Sequence, residues 1–456
     1  MNRKNIAVIL AGGKGERFDS TLPKQFAKVA GKTVIEHTID IFEKHEKIDE
    51  ITIVMNKDFI NKMEEIILKN NWTKLKKVLQ GGKERYDSSL AAIKAYDGGF
   101  VNLIFHDAVR PLLERRIISE VIESLNIYDA VDVAIPATDT IIKVNTNNMS
   151  IENIPQRKQM YQGQTPQGFK SEVIKKAYEI ALQDPNFVTT DDCGVVKKYM
   201  PEKTVFVVNG SPKNIKLTRI EDLHFADKLY QLNSNEVMKH LKYESLKNKV
   251  LLVFGGNSGI GKAIVDIARE NDAKVYSFSR TTTNTDIGNI SDVQNAFKEV
   301  FTKENKIDYV INSAAILRKE AFHTMQLNDI YEMIDINYRG MVNVSYCAYE
   351  YLKESHGQLL HFTSSSYTLG RPFYSLYSSS KAAVVNFTQA LSQEWESVNI
   401  RVNCINPERT LTEMRVKNFG KEDPKTLLTA EDVARASITT LLSPCTGQVI
   451  DVRIKK

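Results

Sequence analysis

Val250-Leu-Leu-Val-Phe-Gly-Gly-Asn-Ser-Gly-Ile-Gly261 decides how half of this chain is built. Its unbroken apolar run, Val250–Phe254, suits one strand buried on both faces and is too short for a helix. The glycines let backbone pass close to a phosphate, and the helix they open would aim its first N–H groups at that anion. Gly255-x-x-x-Gly259-x-Gly261 therefore reads as a dinucleotide loop. A second strand-to-glycine passage, Ile6-Ala-Val-Ile-Leu-Ala-Gly-Gly-Lys-Gly-Glu-Arg17, stands near the N-terminus. It lacks the G-K-[ST] ending of a Walker loop, and Phe18 stands where G-x-G-x-x-G needs its third glycine. Arg17 and Lys24 follow it instead, cations suited to a triphosphate. Two different nucleotide loops in one chain predict two enzymes in one polypeptide.

Outward from both loops the same rhythm repeats. In the first half, strand-like runs at Ile6–Leu10, Glu50–Met55, Leu75–Leu79, Leu103–His106, Val131–Pro136 and Thr204–Val208 accompany amphipathic helices at Val34–Phe42, Lys62–Asn70 and Ser88–Tyr96. After the second loop come strands at Lys274–Ser279, Asp308–Asn312, Gln358–Thr363 and Arg401–Ile405, with long helices between. The alternation predicts an α/β protein of two three-layer αβα domains on mainly parallel sheets, the second doubly wound. Glu221–Leu232 and Asn235–Leu246 are polar, charged and free of Gly and Pro, so both are expected to be helical. The expected domains are residues 1–232 and 248–456, joined by a helical connector at 233–247.

At 456 residues the chain exceeds one ordinary core. A hydrophobic content of 42% with 26% charged residues describes a soluble globular protein. A net charge of +5 without long basic runs suits small phosphorylated substrates and argues against a nucleic-acid partner. Cys193, Cys347, Cys404 and Cys445 form no C-x-x-C pair, so neither a zinc site nor a disulfide scaffold is expected, and a reducing, cytoplasmic setting fits. The run Ile6–Ala11 is too short for a signal peptide, and no stretch approaches a membrane span.

In the first half, Ala11, Gly12, Gly13 and Gly15 can form an anion nest, with Arg17 and Lys24 close behind. Gly81-Gly-Lys-Glu-Arg-Tyr-Asp-Ser-Ser89 adds a flexible turn with hydroxyl donors, suited to a base and ribose. His106-Asp-Ala-Val-Arg-Pro111 sets Asp107 at a strand's C-terminal end, a natural Mg²⁺ ligand beside phosphates. Arg157, Lys213 and Lys216 are further cations. With Pro23-Lys-Gln-Phe26, Gln164-Thr-Pro-Gln-Gly-Phe169, Thr190-Asp-Asp192 and Asn214-Ile-Lys-Leu-Thr218, these stretches make residues 4–230 resemble the cytidylyltransferases that form CDP-methylerythritol and CDP-ribitol, a Rossmann-like nucleotidyltransferase fold. The resemblance implies CTP bound by Ala11, Gly12, Gly13, Gly15, Gly82, Arg85, Ser88 and Asp107. It implies Arg17, Lys24 and Lys216 as the catalytic cations, Mg²⁺ on Asp107, and the acceptor's phosphate on Arg157. It also implies a homodimer that exchanges an arm at 139–157. A phosphomonoester dianion is already a nucleophile at pH 7, so cations rather than a general base would carry the reaction.

In the second half, Tyr377-Ser-Ser-Ser-Lys381 sets Tyr and Lys on one helical face. There Lys381 can reach a nicotinamide ribose, and its charge is expected to lower the Tyr377 pKa. Ser364 ends an apolar strand upstream, with Ser365 as the alternative, and Asn337 is available earlier. With Phe254–Gly261, Asn312-Ser-Ala-Ala315, Asn337-Tyr-Arg-Gly340 and Asn406-Pro407, residues 248–456 resemble the short-chain dehydrogenases/reductases, an NAD(P)-binding Rossmann fold. The resemblance implies Tyr377 as proton donor, Ser364 orienting the carbonyl, Lys381 binding ribose, and Asn337 supporting a relay water. The cofactor would lie on Gly255, Asn257, Ser258, Gly259, Ile260, Gly261, Arg280, Asn312, Tyr377 and Lys381. Two departures stand out: Asn312-Ser-Ala-Ala315 for the usual N-N-A-G, and Glu408 after Pro407 where Gly is common. Arg280 stands where an NAD enzyme more often carries an acid, which favours NADPH.

The order of the halves resembles the bifunctional enzymes of capsular polysaccharide biosynthesis that reduce a ketose phosphate and then activate the polyol phosphate with CTP. That implies D-ribulose 5-phosphate, D-ribitol 5-phosphate and CDP-ribitol in sequence. The residues alone leave other pairings open: 2-C-methyl-D-erythritol 4-phosphate as acceptor, xylulose 5-phosphate as ketose, or a second half that binds NADP without catalysis.

Overall fold

The computed structural model describes residues 3–13, 23–237 and 243–454, and the chain divides into two compact units, Met1–Asp227 and Lys228–Lys456. The first unit's strands are β1 (Lys4–Ala11), β2 (Lys28–Val29), β3 (Lys32–Thr33), β4 (Glu50–Met55), β5 (Leu75–Gln80), β6 (Val101–Asp107), β7 (Ala130–Pro136), β8 (Lys143–Asn145), β9 (Ser150–Asn153), β10 (Tyr161–Lys170) and β11 (Val205–Asn209). Its helices are α1 (Val34–Glu43), α2 (Ile60–Lys69), α3 (Arg85–Ala95), α4 (Arg115–Leu125), α5 (Ser171–Ala181) and α6 (Asp192–Tyr199), and the unit boundary falls within α7 (Ile220–Val237). A seven-stranded sheet runs in the order β11-β7-β10-β6-β1-β4-β5, parallel except for β10.

Both faces of this sheet are covered, which is why its inner strands β1 and β4 read as nearly unbroken apolar runs. Along β1 the side chains alternate: Ala7, Ile9 and Ala11 join α1, α2 and α4 in one core, while Ile6, Val8 and Leu10 join α3, α5 and α6 in another. Helix α1 starts where the sequence suggests, because Thr33 and Glu36 form a reciprocal capping box. Strand β10 escaped the sequence reading. Its Tyr161-Gln-Gly-Gln-Thr-Pro-Gln-Gly-Phe-Lys170 holds two glycines and a proline, yet it occupies the middle of the sheet. The β7 ladder shifts register between Gln164 and Gly168, which accommodates Pro166, and a Cβ on Gly168 would lie 2.7 Å from a methyl of Val121 on α4. Tertiary packing, not strand propensity, selects this segment.

The second unit contains β12 (Val250–Phe254), β13 (Lys274–Phe278), β14 (Tyr309–Asn312), β15 (Gln358–Phe362), β16 (Arg401–Pro407) and β17 (Val449–Val452). They form a six-stranded, wholly parallel sheet in the order β13-β12-β14-β15-β16-β17. Around it lie α8 (Gly259–Glu270), α9 (Ile290–Glu304), α10 (Leu327–Ile334), α11 (Gly340–Ser355), α12 (Ser375–Glu394), α13 (Glu413–Phe419) and α14 (Ala430–Leu442). Val250, Leu252 and Phe254 pack with α9 and α11, whereas Leu251 and Val253 pack with α8 and α14. The order reverses beside β12, and ligands of doubly wound sheets bind at that crevice. Of the expected helix at Asn235–Leu246, α7 covers the start as far as Val237 and a 3₁₀ turn spans Tyr243–Leu246, while residues 238–242 lie outside the described residues. Strand β17, absent from the sequence reading, is short and closes the sheet edge against β16.

Candidate active sites

In the first unit, β1 delivers Ala11 into Gly12 and Gly13, while the expected Gly15 and Arg17 lie outside the described residues. Beyond that gap the chain returns to the loop, where the buried Gln25 amide donates to the Ala11 carbonyl at 3.1 Å. Lys24 precedes it in a 3₁₀ turn. The two glycine turns meet at Ser88, since a Cβ on Gly12 would lie 2.8 Å from its Oγ and one on Gly81 2.6 Å. Any side chain at either glycine would displace that hydroxyl. Gly82 is similarly confined, with Asp87 Cβ only 2.3 Å from where its own Cβ would lie.

Asp107 ends β6 opposite Leu10 and is nearly buried. Three cations surround it: Lys216 Nζ at 2.9 Å, Arg110 Nε at 3.6 Å and Arg85 Nε at 4.0 Å. Burial alone would raise its pKa, but the charges of Lys216, then Arg85, with a Lys216 hydrogen bond, overcome it and hold the carboxyl at about 2. Lys216 is presented by a loop tied down from several sides. Arg110 Nη1 donates to the Asn214 carbonyl at 2.8 Å, Asn214 Nδ2 donates to the Thr165 carbonyl at 2.8 Å, and Leu217 N donates to the Val109 carbonyl at 2.9 Å. Arg85 continues inward to Asp192 at 2.7 Å, a fully buried carboxylate that also accepts from the Tyr178 hydroxyl at 2.6 Å. Arg157 stands apart from this cluster, exposed, with Nη1 on the Thr138 carbonyl at 3.3 Å. Lys213 anchors its own turn, its N–H donating to Ser211 Oγ at 3.2 Å.

In the second unit the Gly loop, Ser364, Tyr377 and Lys381 all line one cavity of about 630 Å³. Gly255 has φ +81°, and a Cβ there would lie 2.7 Å from the Ala314 nitrogen. Asn257, Ser258, Gly259, Ile260, Gly261 and Arg280 share the lining, as does Ser365. Asn312 is buried at the end of β14, its Oδ1 lacking a hydrogen-bond partner among the described residues. Asn337 sits in a π-turn between α10 and α11, and clamps both backbone groups of Ile316 at 2.9 and 2.8 Å. Lys381 Nζ donates to the Phe362 carbonyl at 2.8 Å and lies 5.4 Å from the Tyr377 ring centre. Burial lowers its pKa to about 8.

Tyr377 departs from the expectation. Its hydroxyl is pushed up to about 12 because desolvation outweighs the lowering contributed by a Ser364 hydrogen bond and by the Arg415 charge. The ammonium of Lys381 is turned to the Phe362 carbonyl rather than to the phenol. Arg280 forms an ion pair with Glu332 at 2.9 Å, and Arg318 pairs with the same carboxylate. The two departures have structural explanations. Ser313 Oγ donates to the Phe254 carbonyl at 2.8 Å, locking the start of the Gly loop, and the Glu408 carboxylate accepts from Ile454 N at 3.0 Å, fastening the segment after β17.

Residues 5–231 match the family model for 2-C-methyl-D-erythritol 4-phosphate cytidylyltransferase, and residues 249–423 match that for short chain dehydrogenase. The whole chain is 50% identical over 462 aligned positions to a bifunctional ribulose 5-phosphate reductase/CDP-ribitol pyrophosphorylase of Haemophilus influenzae, with 100% of this chain and 97% of that protein covered. The chain belongs to that bifunctional family. Its first unit alone is 39% identical to the 2-C-methyl-D-erythritol 4-phosphate cytidylyltransferase of Thermobifida fusca, over 49% of this chain and 92% of that enzyme. A crystal structure of the 4-diphosphocytidyl-2C-methyl-D-erythritol synthase from Anaerococcus prevotii is 30% identical, covers 50% of this chain and 96% of its own, and superposes with a TM-score of 0.46.

The protein is therefore an enzyme with a cytidylyltransferase unit and a short-chain reductase unit in one chain. Nicotinamide chemistry belongs to the reductase unit. Sequence reasoning quoted Asp192 within a motif and gave it no role, because a buried partner for Arg85 has no local signal. Arg371 and Arg415, both on the reductase cavity, were missed for the same reason. Among the described residues no cluster of three or more His, Cys, Asp or Glu is placed to hold a metal, and no helix is long and apolar enough to cross a membrane.

Proposed function

We propose that the reductase unit converts D-ribulose 5-phosphate to D-ribitol 5-phosphate with NADPH, and that the cytidylyltransferase unit then makes CDP-ribitol and pyrophosphate from it and CTP. The observation that carries the reading is the convergence of Ser364, Tyr377 and Lys381 with the Gly loop on one cavity. Bound NADPH would supply the hydride. Ser364 orients the substrate carbonyl, and Tyr377, protonated at neutral pH, gives its proton to the developing alkoxide. Lys381 holds the ribose and stabilises the tyrosinate left behind. Asn337, by clamping Ile316, supports the relay that returns the proton. Arg280 is the residue to meet a 2′-phosphate, exchanging Glu332 for it, and so sets the NADPH preference.

In the cytidylyltransferase unit, Ala11, Gly12, Gly13, Gly15, Gly82, Arg85 and Ser88 hold the nucleotide. Arg17, Lys24 and Lys216 hold its phosphates, and Arg157 holds that of the acceptor. A single carboxylate kept fully ionised suits Mg²⁺, whose remaining ligands can be phosphate oxygens and water, so Asp107 fits that ion. Bound Mg²⁺ would supply charge neutralisation on the triphosphate. Lys216 is poised to pass from Asp107 to the α-phosphoryl oxygens as negative charge accumulates there.

The hairpin of β8 and β9 carries exposed Ile142, Met149, Ile151 and Ile154, an apolar surface that supports an arm exchanged across a homodimer. Free cysteines among the described residues support a cytoplasmic setting. The test is an assay with ribulose 5-phosphate, NADPH, CTP and Mg²⁺, followed by identification of the nucleotide product. CDP-ribitol should form only when all four are present. Preferential use of 2-C-methyl-D-erythritol 4-phosphate as acceptor would overturn the reading.

A further inference from the structure

Reading the reductase cavity as a ketose phosphate site leaves the substrate's phosphate without an assigned partner, and the following inference rests on that reading. The known residues serve the carbonyl and the cofactor. A phosphate dianion three carbon–carbon bonds beyond the carbonyl, in a partly enclosed cavity, needs cations of its own.

The lining beyond Tyr377 supplies them. Arg371, Arg409 and Arg415 all face the cavity. Arg415 lies near enough to Tyr377 for its charge to act on the phenol. Its guanidinium is laid 4.2 Å over the Phe419 ring, and Tyr374 packs edge-on against that ring at 5.9 Å. Glu422 fixes it from the other side, with Nε at 2.6 Å and Nη2 at 3.0 Å from the two carboxylate oxygens. A planar fork locked in this way presents its fixed geometry to an oxyanion at little further loss of freedom.

Arg371 differs. It is exposed and has no hydrogen-bond or ion-pair partner among the described residues. The segment carrying it joins the Ser364 turn to α12, so it comes from the same connection that delivers Tyr377. That segment is not slack: Phe373 adopts φ +69°, a left-handed conformation unusual for a bulky residue, and its carbonyl accepts from Glu320 N at 2.6 Å. Of the nearby acids, Glu408 is turned to Ile454 N, and Glu422, which braces Arg415, also pairs with Arg409 at 3.3 Å, so among the described residues the charge of Arg371 is the one left for a ligand.

We propose that Arg371 and Arg415 clamp the phosphate of the ketose substrate, and that Arg409 adds charge from the same wall. The clamp selects a phosphorylated open-chain ketose over the free sugar and sets the carbonyl at Tyr377 by holding the far end of the molecule.

The experiment compares kcat/KM for D-ribulose 5-phosphate and for D-ribulose, with NADPH, in the full chain and in Arg371→Met and Arg415→Met. The selectivity for the phosphorylated sugar should fall about 10- to 100-fold in each variant, the range expected for losing a charge-assisted contact, with the loss weighted toward KM. Arg371→Met guards against misfolding, because that side chain holds no other part of the protein. Equal falls for both sugars, or an unchanged ratio, would overturn the clamp. A wild-type enzyme inactive on ribulose 5-phosphate would instead refute the substrate reading. The same comparison with xylulose 5-phosphate and xylulose would then test the clamp by itself.

Discussion

Tyr377 and Lys381 have their ordinary pKa values moved in opposite directions by the same cause, removal from water. The phenol, pushed up, stays protonated at every pH where the enzyme would work, as a proton donor must. The ammonium, brought down to about 8, is charged below that pH and loses its proton above it. Reduction of the ketose should therefore hold steady below about pH 8 and decline above it, as Lys381 discharges. An initial-rate profile checks this, and Lys381→Arg, which does not titrate there, should lack the descending limb. Tyr377→Phe should cost reduction about 10²- to 10⁴-fold, the usual contribution of a positioned general acid, while cytidylyl transfer continues. In the other unit, Asp192→Asn should destabilise the fold by about 3 kcal/mol, because it removes the nearer carboxylate of Arg85 and leaves only Asp107, at 4.0 Å, to balance it. Denaturant unfolding reads that loss, and a loss well under 1 kcal/mol would show that Arg85 does not depend on Asp192.

Among the elements, β10 and the loop after β14 set the limits of sequence reading. The central strands and the glycine loops were legible because burial on both faces demands unbroken apolar runs, and phosphate approach demands glycine. Strand β10 was not, since its strand state is imposed by β6 and β7 on either side and by α4 against Gly168. Gly168→Val should accordingly destabilise the cytidylyltransferase unit, whereas a strand-propensity argument predicts the opposite; thermal unfolding distinguishes them. Ser313 teaches the same lesson in the reductase unit. As a sequence feature it was a departure from N-N-A-G; in the fold it is the hydroxyl that fastens the Phe254 carbonyl. Ser313→Ala should cost about 1 kcal/mol and weaken NADPH binding by loosening the loop. Of the reductase residues, Ser364, Tyr377 and Lys381 were recoverable from spacing along one helix and one strand end. Arg371 and Arg415 were not, because an arginine on a loop or a short helix looks the same in sequence whether it faces solvent or a cavity.

At the scale of the molecule, each unit has its own sheet and its own pair of cores. Ligands should then act on the units separately. A saturating excess of NADPH, at about 100 times its Kd, should stabilise the reductase unit by about 2.7 kcal/mol, and CTP with Mg²⁺ should do so for the other unit. Calorimetry with each ligand in turn checks this, and a single transition moved equally by both would contradict it. The sequence by itself determined that there are two α/β units, each with its own nucleotide loop, because local rules of burial, glycine geometry and helical spacing act within short stretches; their kinds followed from the motifs they share with known families. Only the tertiary structure decided which way a shared group turns: Lys381 toward the Phe362 carbonyl, Arg85 between Asp107 and Asp192, Arg415 onto Phe419 and Glu422. Those choices depend on partners far away in the chain, and on how completely packing removes each charge from water.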